Sequence, residues 1–207
     1  MPSRSSSILG SVRLLAGEPA LVCRDTRGAR WWARPFARRL AAREARALRV
    51  LEDIEGIPRL HGWDGRQLLR SLIPGAMLRE AAPADPAYFR SALRLLRRIH
   101  RHGVAHNDLA REPNWLARPD GTAAIIDFQL AWHDPRRGRL FRLMAREDLR
   151  HLLKHKRQYC PAQLTPGQRR LLATPSLAAR AWRWTLLPLG RRLRGWAGSK
   201  AAGTEEP

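Results

Sequence analysis

Between Val104 and Gln129 the chain reads V-A-H-N-D-L-A-R-E-P-N-W-L and, after a Pro119-Asp120-Gly121 turn, A-A-I-I-D-F-Q. No other stretch restricts the fold as strongly. Phe89, Leu93, Leu95, Leu96 and Ile99 precede it at helical spacing, Asp85-Pro86 supplies an N-cap and a first-turn proline, and Gly103 supplies a stop. Val104 to His106 reads as a short extended segment, 107–116 as a polar loop, and Ala123 to Ile126 as a buried strand. The turn folds the chain back, so Asn114 and Asp127, distant in sequence, come within reach of one another.

The remaining pattern is of mixed type. Apolar runs at 8–15 and 20–24 flank Gly17 and Pro19 and predict a β-hairpin. Leu40, Ala41, Ala45, Leu48 and Leu51 predict an amphipathic helix over 36–54, which Ile57-Pro58 ends. Gln67 to Ile73 reads as a strand closed by Pro74-Gly75. Leu140, Leu143, Leu149 and Leu152 predict a helix over 140–158, and 164–198 reads as a helical tail. The expected fold class is therefore α+β. It comprises a small sheet-bearing lobe with a helix (1–75), a helical lobe (76–163), and a basic tail (164–207) with a disordered end.

Taken singly, Asp108 and Asn114 are loop residues of the kind that cap backbone groups, and Asp127 is a strand-end turn residue. Taken together they are the donors that phosphoryl transfer from ATP requires. That reaction needs a carboxylate beside the attacking hydroxyl and oxygen ligands that hold magnesium against the phosphates. His106-Asn107-Asp108-Leu109, Asn114 and Ile126-Asp127-Phe128 resemble the catalytic loop and metal-binding motif of protein kinases. The wording is most similar to the RIO-like and lipopolysaccharide-core (Kdo/heptose) kinase group, over roughly residues 20–160. The resemblance implies a two-lobed protein-kinase-like fold with a reduced N-terminal sheet, and ATP and Mg2+ as cofactors. It implies Asp108 as catalytic base, Asn114 and Asp127 as metal ligands, His106 as support for the loop, and Glu44 as the helix glutamate that pairs with the ATP-orienting residue. It also implies that backbone groups of Arg70, Ser71 and Leu72 meet the adenine, and that Asp148 anchors the catalytic loop by accepting backbone hydrogen bonds.

The chain departs from that pattern in four places. No lysine occurs before residue 154, so the phosphate-orienting position falls on Arg24, whose planar fork is not equivalent to an ammonium. Asn114 lies one residue further from Asp108 than in the usual kinase spacing. Gln129 stands where glycine is usual, and no A-P-E segment follows, as in the RIO-like subgroup. Gly10-Ser11 is the best candidate for a phosphate loop, on the strength of a lone glycine.

The formal net charge is +21 over 207 residues. Lysine occurs only at 154, 156 and 200, so nearly all of the positive charge is arginine. An Ala- and Arg-favouring composition accounts for part of this. The rest predicts attraction to polyanions. Cys23 and Cys160 fit no disulfide or CxxC pattern, and no apolar run reaches spanning length, so a cytoplasmic protein is expected. In the tail, Trp182, Trp184 and Trp196 alternate with arginines, which suits an anionic membrane face over 176–198 and a peripheral position there. No nucleic-acid motif is present, and nucleic acid is not an expected partner. The expected partners are ATP and a protein or glycolipid acceptor. His151, His155 and Cys160 could be read as metal ligands, but the reading adopted is the polar face of a basic helix. The competing functional class is a pseudokinase or a membrane-associated binding protein.

Overall fold

The computed structural model describes residues 4–174. A five-stranded antiparallel sheet is ordered β1-β2-β3-β5-β4, from β1 (Arg4–Ser7), β2 (Gly10–Leu15), β3 (Leu21–Asp25), β4 (Leu60–Trp63) and β5 (Gln67–Ser71). The expected hairpin is β2–β3. Residue 10 must be glycine: its φ is +116°, and a Cβ there would lie 2.3 Å from the Asp25 carbonyl oxygen. β5 ends at Ser71, two residues short of the expected Ile73; exposed Leu72 makes one last backbone bond, to the Ala20 carbonyl, ahead of Pro74. The helix α1 (Arg34–Val50) crosses between this sheet and the rest of the molecule. It starts two residues earlier than its apolar spacing suggested, since Pro35 is compatible with a first turn.

The helical part contains β6 (Ala76–Met77), α2 (Leu78–Ala81), α3 (Pro86–Arg101), β7 (Val104–Ala105), β8 (Trp115–Ala117), β9 (Ala123–Ile125), β10 (Trp132–His133), α4 (Arg139–Tyr159) and α5 (Pro166–Ala173). β6, β8 and β9 form one small sheet, and β7 pairs with β10. α3 starts as its sequence indicates, with Asp85 Oδ1 accepting the Ala87 N–H at 2.7 Å. It stops at Gly103, whose φ is +71° and where a Cβ would meet the Asp134 carbonyl oxygen at 2.5 Å.

One apolar core runs through both parts. Leu48 and Leu51 of α1 and its end pack with Leu96 and Ile99 of α3, Ile125 of β9, Phe128 and Leu152 of α4. Each such side chain stabilises by about 1.5–3 kcal/mol when fully buried. The two loops of interest emerge from this shared core, which fixes them relative to one another. Leu140 and Leu143, expected on the buried stripe of α4, are instead exposed. The buried residues of its first half are Phe141, Asp148 and Arg150. Both cysteines are free and buried. Among the described residues no helix is long and apolar enough to cross a membrane. The tryptophans of the tail lie outside the described residues.

Candidate active site

The loop after β7 is held from below by one carboxylate. Asp148 is 1% exposed. It accepts the His106 N–H at 2.7 Å and the Asn107 N–H at 2.9 Å, and its Oδ2 lies 3.2 Å from His100 Nε2. This is the anchoring role expected for it. His106 is fully buried, and its ring joins the two loops. Nε2 donates to the Ile126 carbonyl at 3.0 Å, while Nδ1 accepts the Asp108 N–H at 3.3 Å, an assignment made from the network. Asn107 sits at φ +66°, a conformation asparagine tolerates, and donates its side-chain amide to the Leu130 carbonyl.

Asp108 and Asn114 are in direct contact. The Asn114 Nδ2 donates to the Asp108 carbonyl at 2.8 Å and to its Oδ2 at 3.0 Å. The extra residue between them is taken up by a 3-10 turn, Glu112–Asn114, with Pro113 inside it, so the longer spacing does not part the two side chains. Arg111 Nη1 stands 3.7 Å from Asp108 Oδ2. The Ile126 N–H donates to the Asn114 carbonyl at 3.0 Å, placing Asp127 next to that corner. Asp127 itself is left-handed, at φ 68° and ψ 67°, an unusual backbone for a non-glycine residue. Its Oδ1 accepts the Gln129 side-chain amide in a short hydrogen bond and lies 3.6 Å from Arg24 Nη2.

The other half of the site is a charge cluster under the sheet. Arg24 pairs across the strands with Leu68, and Val22 with Arg70. Strand alternation therefore puts Arg24 and Arg70 on one face of the sheet, toward α1. Glu44 of α1, fully buried, sits between them: Arg24 Nε is 3.5 Å from Oε2, and Arg70 Nε is 3.2 Å from Oε1. These are ion pairs by distance only. Neither arginine Nε nor either Glu44 oxygen is aligned for a hydrogen bond. Arg24, Arg70, Glu44 and Asp127 sum to zero charge.

The expectation for residues 70–72 changes. The Arg70 side chain turns to Glu44, and its backbone lies within the sheet. The Ser71 N–H goes to the Arg59 carbonyl and the Leu72 N–H to the Ala20 carbonyl, both at 2.9 Å. Backbone donors beyond these bonds begin at Ile73. Gly10, the candidate phosphate-loop residue, serves close packing of the first hairpin on Asp25.

Three features escaped sequence reasoning. His155 is buried and places Nε2 2.9 Å from the Leu109 carbonyl, which also accepts the Trp115 indole N–H at 3.1 Å. It is neither a metal ligand nor a solvated face. Cys160 Sγ lies 3.3 Å from the Ala84 carbonyl, away from any such cluster. Burial pushes His155 below its ordinary value. The signal was its position seven residues after Asp148 on one stripe of α4. Arg70 is the second feature, since its partner depends on strand register. The third is Asp25. A hydrogen bond from the Arg27 guanidinium, with further bonds from the Arg27 backbone and Gln67, holds its carboxyl well below the usual carboxylate range against the opposing effect of burial.

The donor set suits a divalent cation that prefers hard oxygen. Asn114 donates its amide nitrogen to Asp108, so its Oδ1 is the remaining ligand atom, and among the described residues no side chain takes Asp127 Oδ2. One or two carboxylate-type ligands completed by phosphate oxygens are the usual magnesium arrangement at phosphoryl-transfer sites.

No protein-family model and no curated protein matches the sequence. Solved structures do match in shape. The Rio2 kinase from Chaetomium thermophilum aligns over 98% of this chain and 72% of its own, with a TM-score of 0.61 at 15% identity. A Rio2 kinase-ADP/Mg2+-phosphoaspartate complex from the same organism aligns over 98% and 71%, with a TM-score of 0.59 at 13% identity.

Proposed function

The chain has a RIO-like protein-kinase-like fold, and we propose that it is a magnesium- and ATP-dependent phosphotransferase that moves the γ-phosphate to a hydroxyl. The acceptor would be a protein Ser/Thr or a sugar of the lipopolysaccharide core. One observation carries the reading. The Asn114 side-chain amide N–H2 is clamped on Asp108 while the Asn114 backbone carbonyl takes the Ile126 N–H, so a candidate base and two candidate metal ligands share one corner between two loops. The Rio2 complex with ADP and Mg2+ supports the same assignment of cofactors.

In this reading Asp108 accepts the acceptor's proton, and its carboxylate is oriented by Asn114. Asn114 Oδ1 and Asp127 would hold magnesium, which when bound neutralises charge on the phosphates. Arg24 reaches the α/β-phosphates, and Arg70 keeps Glu44 compensated when it does. The adenine would meet the backbone from Ile73 onward, and the acceptor hydroxyl would approach over Asp108. Positioning and electrostatics supply most of the acceleration in such reactions.

A second reading, a weakly active pseudokinase, is favoured by Arg24 Nη2 lying 3.6 Å from Asp127 with Gln129 on the same oxygen. Magnesium-dependent ATP consumption by wild type, Asp108→Ala and Arg24→Lys separates the two. An active wild type that loses about 100-fold or more in Asp108→Ala is expected for the enzyme. An inactive wild type rescued by Arg24→Lys would establish the pseudokinase. Attachment of the 176–198 segment to an anionic membrane face is part of the proposal, tested by sedimentation with anionic liposomes with and without residues 176–207.

A further inference from the structure

Arginine is abundant everywhere in this chain, so an arginine-rich cleft means little unless no carboxylate lines it. Two clefts beside α3 make the contrast. One, of about 300 Å³, is lined by Arg94, Arg98 and Arg118 together with Glu55 and Asp120. There Arg118 pairs with Glu55 at 2.7 Å and with Asp120 at 3.5 Å. The other, of about 520 Å³, is lined by Arg97, Arg101, Arg136, Arg137 and Arg142 around His100 and the buried Phe141. Among the described residues none of those five guanidinium groups has a carboxylate within ion-pair distance. Two acids adjoin the cleft without pairing with these guanidinium groups. Asp134 accepts the backbone N–H groups of Arg136 and Gly138, and Asp148 is buried behind His100.

The walls of the cleft are held in place. Asp134 N–H donates to the Gly103 carbonyl at 2.8 Å, which ties the 134–138 loop to the end of α3. Arg137 is held at φ +49°, a costly conformation for a residue with a side chain. α4 begins at Gly138 with no acid in its first turn, and the Asp134 carboxylate lies against the Gly138 N–H at 2.8 Å. Five like charges converging on one cleft repel each other, and this is relieved by a multivalent anion whose oxygens take several guanidinium donors at once. The volume falls within the roughly 300–1,000 Å³ usual for small-molecule sites.

We infer that this cleft is a second ligand site, for a molecule bearing a phosphate monoester or a diphosphate. It is distinct from the Asp108–Asp127 corner and does not depend on the phosphotransfer reading. Its wall residue His100 contacts Asp148, the anchor of the catalytic loop, so an occupant is coupled to that loop through one side chain.

Calorimetric titration of the full chain with inorganic pyrophosphate, at fixed ionic strength and without magnesium, tests the inference. Wild type binds saturably, and Arg101→Gln/Arg137→Gln binds at least about tenfold more weakly. Arg38→Gln/Arg39→Gln, which removes the same charge from exposed positions on α1, stays within about twofold of wild type. Equal weakening in the two double variants would reduce the effect to diffuse attraction by the net charge and overturn the site. So would loss confined to Arg24→Ala, which would place the ligand at the nucleotide corner, or an absence of binding by wild type. Phosphatidylcholine vesicles with added phosphatidic acid distinguish the ligand's source. Sedimentation that pyrophosphate competes away, and that Arg101→Gln/Arg137→Gln lacks, supports a lipid headgroup. Pyrophosphate binding without such competition supports a soluble phosphate compound.

Discussion

Replacing Asp148 should loosen the loop after β7 before anything else. The carboxylate accepts two backbone N–H groups, from His106 and Asn107, in a place that is 1% exposed. In Asp148→Ala both donors are orphaned, at about 1–3 kcal/mol each, which gives a loss of about 4 kcal/mol for the pair. In Asp148→Asn one oxygen remains an acceptor while the other position becomes an amide N–H2 that cannot accept. In either orientation one of the two backbone donors is lost, and the cost halves to about 2 kcal/mol. With a urea m-value of roughly 2 kcal/mol/M, the midpoints fall by about 2 M and about 1 M. Equilibrium urea unfolding followed by tryptophan fluorescence reads this directly, since Trp115 lies in the same core. Amide exchange should accelerate by more than the global loss accounts for, at both His106 and Asn107 in Asp148→Ala and at one of them in Asp148→Asn. Midpoints within 0.3 M of wild type for Asp148→Ala, an error-sized change by comparison (about 0.6 kcal/mol), would refute the reasoning.

Gly103→Ala should cost more than about 2 kcal/mol, through its positive φ and the Asp134 carbonyl, measured by the same unfolding assay. Asp25 has a folded value below its unfolded one of about 3.9, so its contribution is present above that pH and fades as pH falls below it. The stability difference between wild type and Asp25→Asn should therefore shrink from pH 5 to pH 2.5, and a constant difference would contradict the Arg27 pairing. His155 is shifted the other way for a base, its folded value lying below the unfolded one of about 6.5. Its neutral form stabilises the fold above that pH and the benefit is lost as pH falls below it, so His155→Gln should flatten the pH 7 to 5 limb of stability. His151, lowered by burial and by Lys154, leaves a residual slope.

What the sequence disclosed was local. Asp85 and Pro86 declare the start of α3 because capping involves only neighbouring residues, and Gly103 declares its end through its own backbone. The Asp108, Asn114 and Asp127 corner was legible because a hairpin of known length joins them. The rest required three-dimensional register. Nothing near Arg70 in the chain says that it faces Glu44. That follows only once β3 and β5 pair Val22 with Arg70. His155 was misread because a buried polar side chain looks like a gap in an apolar stripe, and its partner, the Leu109 carbonyl, is 46 residues away.

On the proposed reading, in which Arg24 takes the position of a phosphate-orienting lysine, a second arginine would make that replacement workable. A buried glutamate with a single cationic partner would be left uncompensated if that partner moved toward phosphates, at a cost of several kcal/mol. Here Glu44 has two, and Arg70 at 3.2 Å is the nearer. Arg24 also holds two acids through different nitrogens of one planar group, Nε toward Glu44 and Nη2 toward Asp127, which the single nitrogen of a lysine cannot reproduce in the same geometry. On the proposed reading, Arg24 would turn to the phosphate oxygens and Asp127 would hold magnesium, each giving up its contact with the other. Arg24 therefore belongs with Arg70 and Gln129 as a set, and on the proposed reading Arg24→Lys alone would leave that set incomplete.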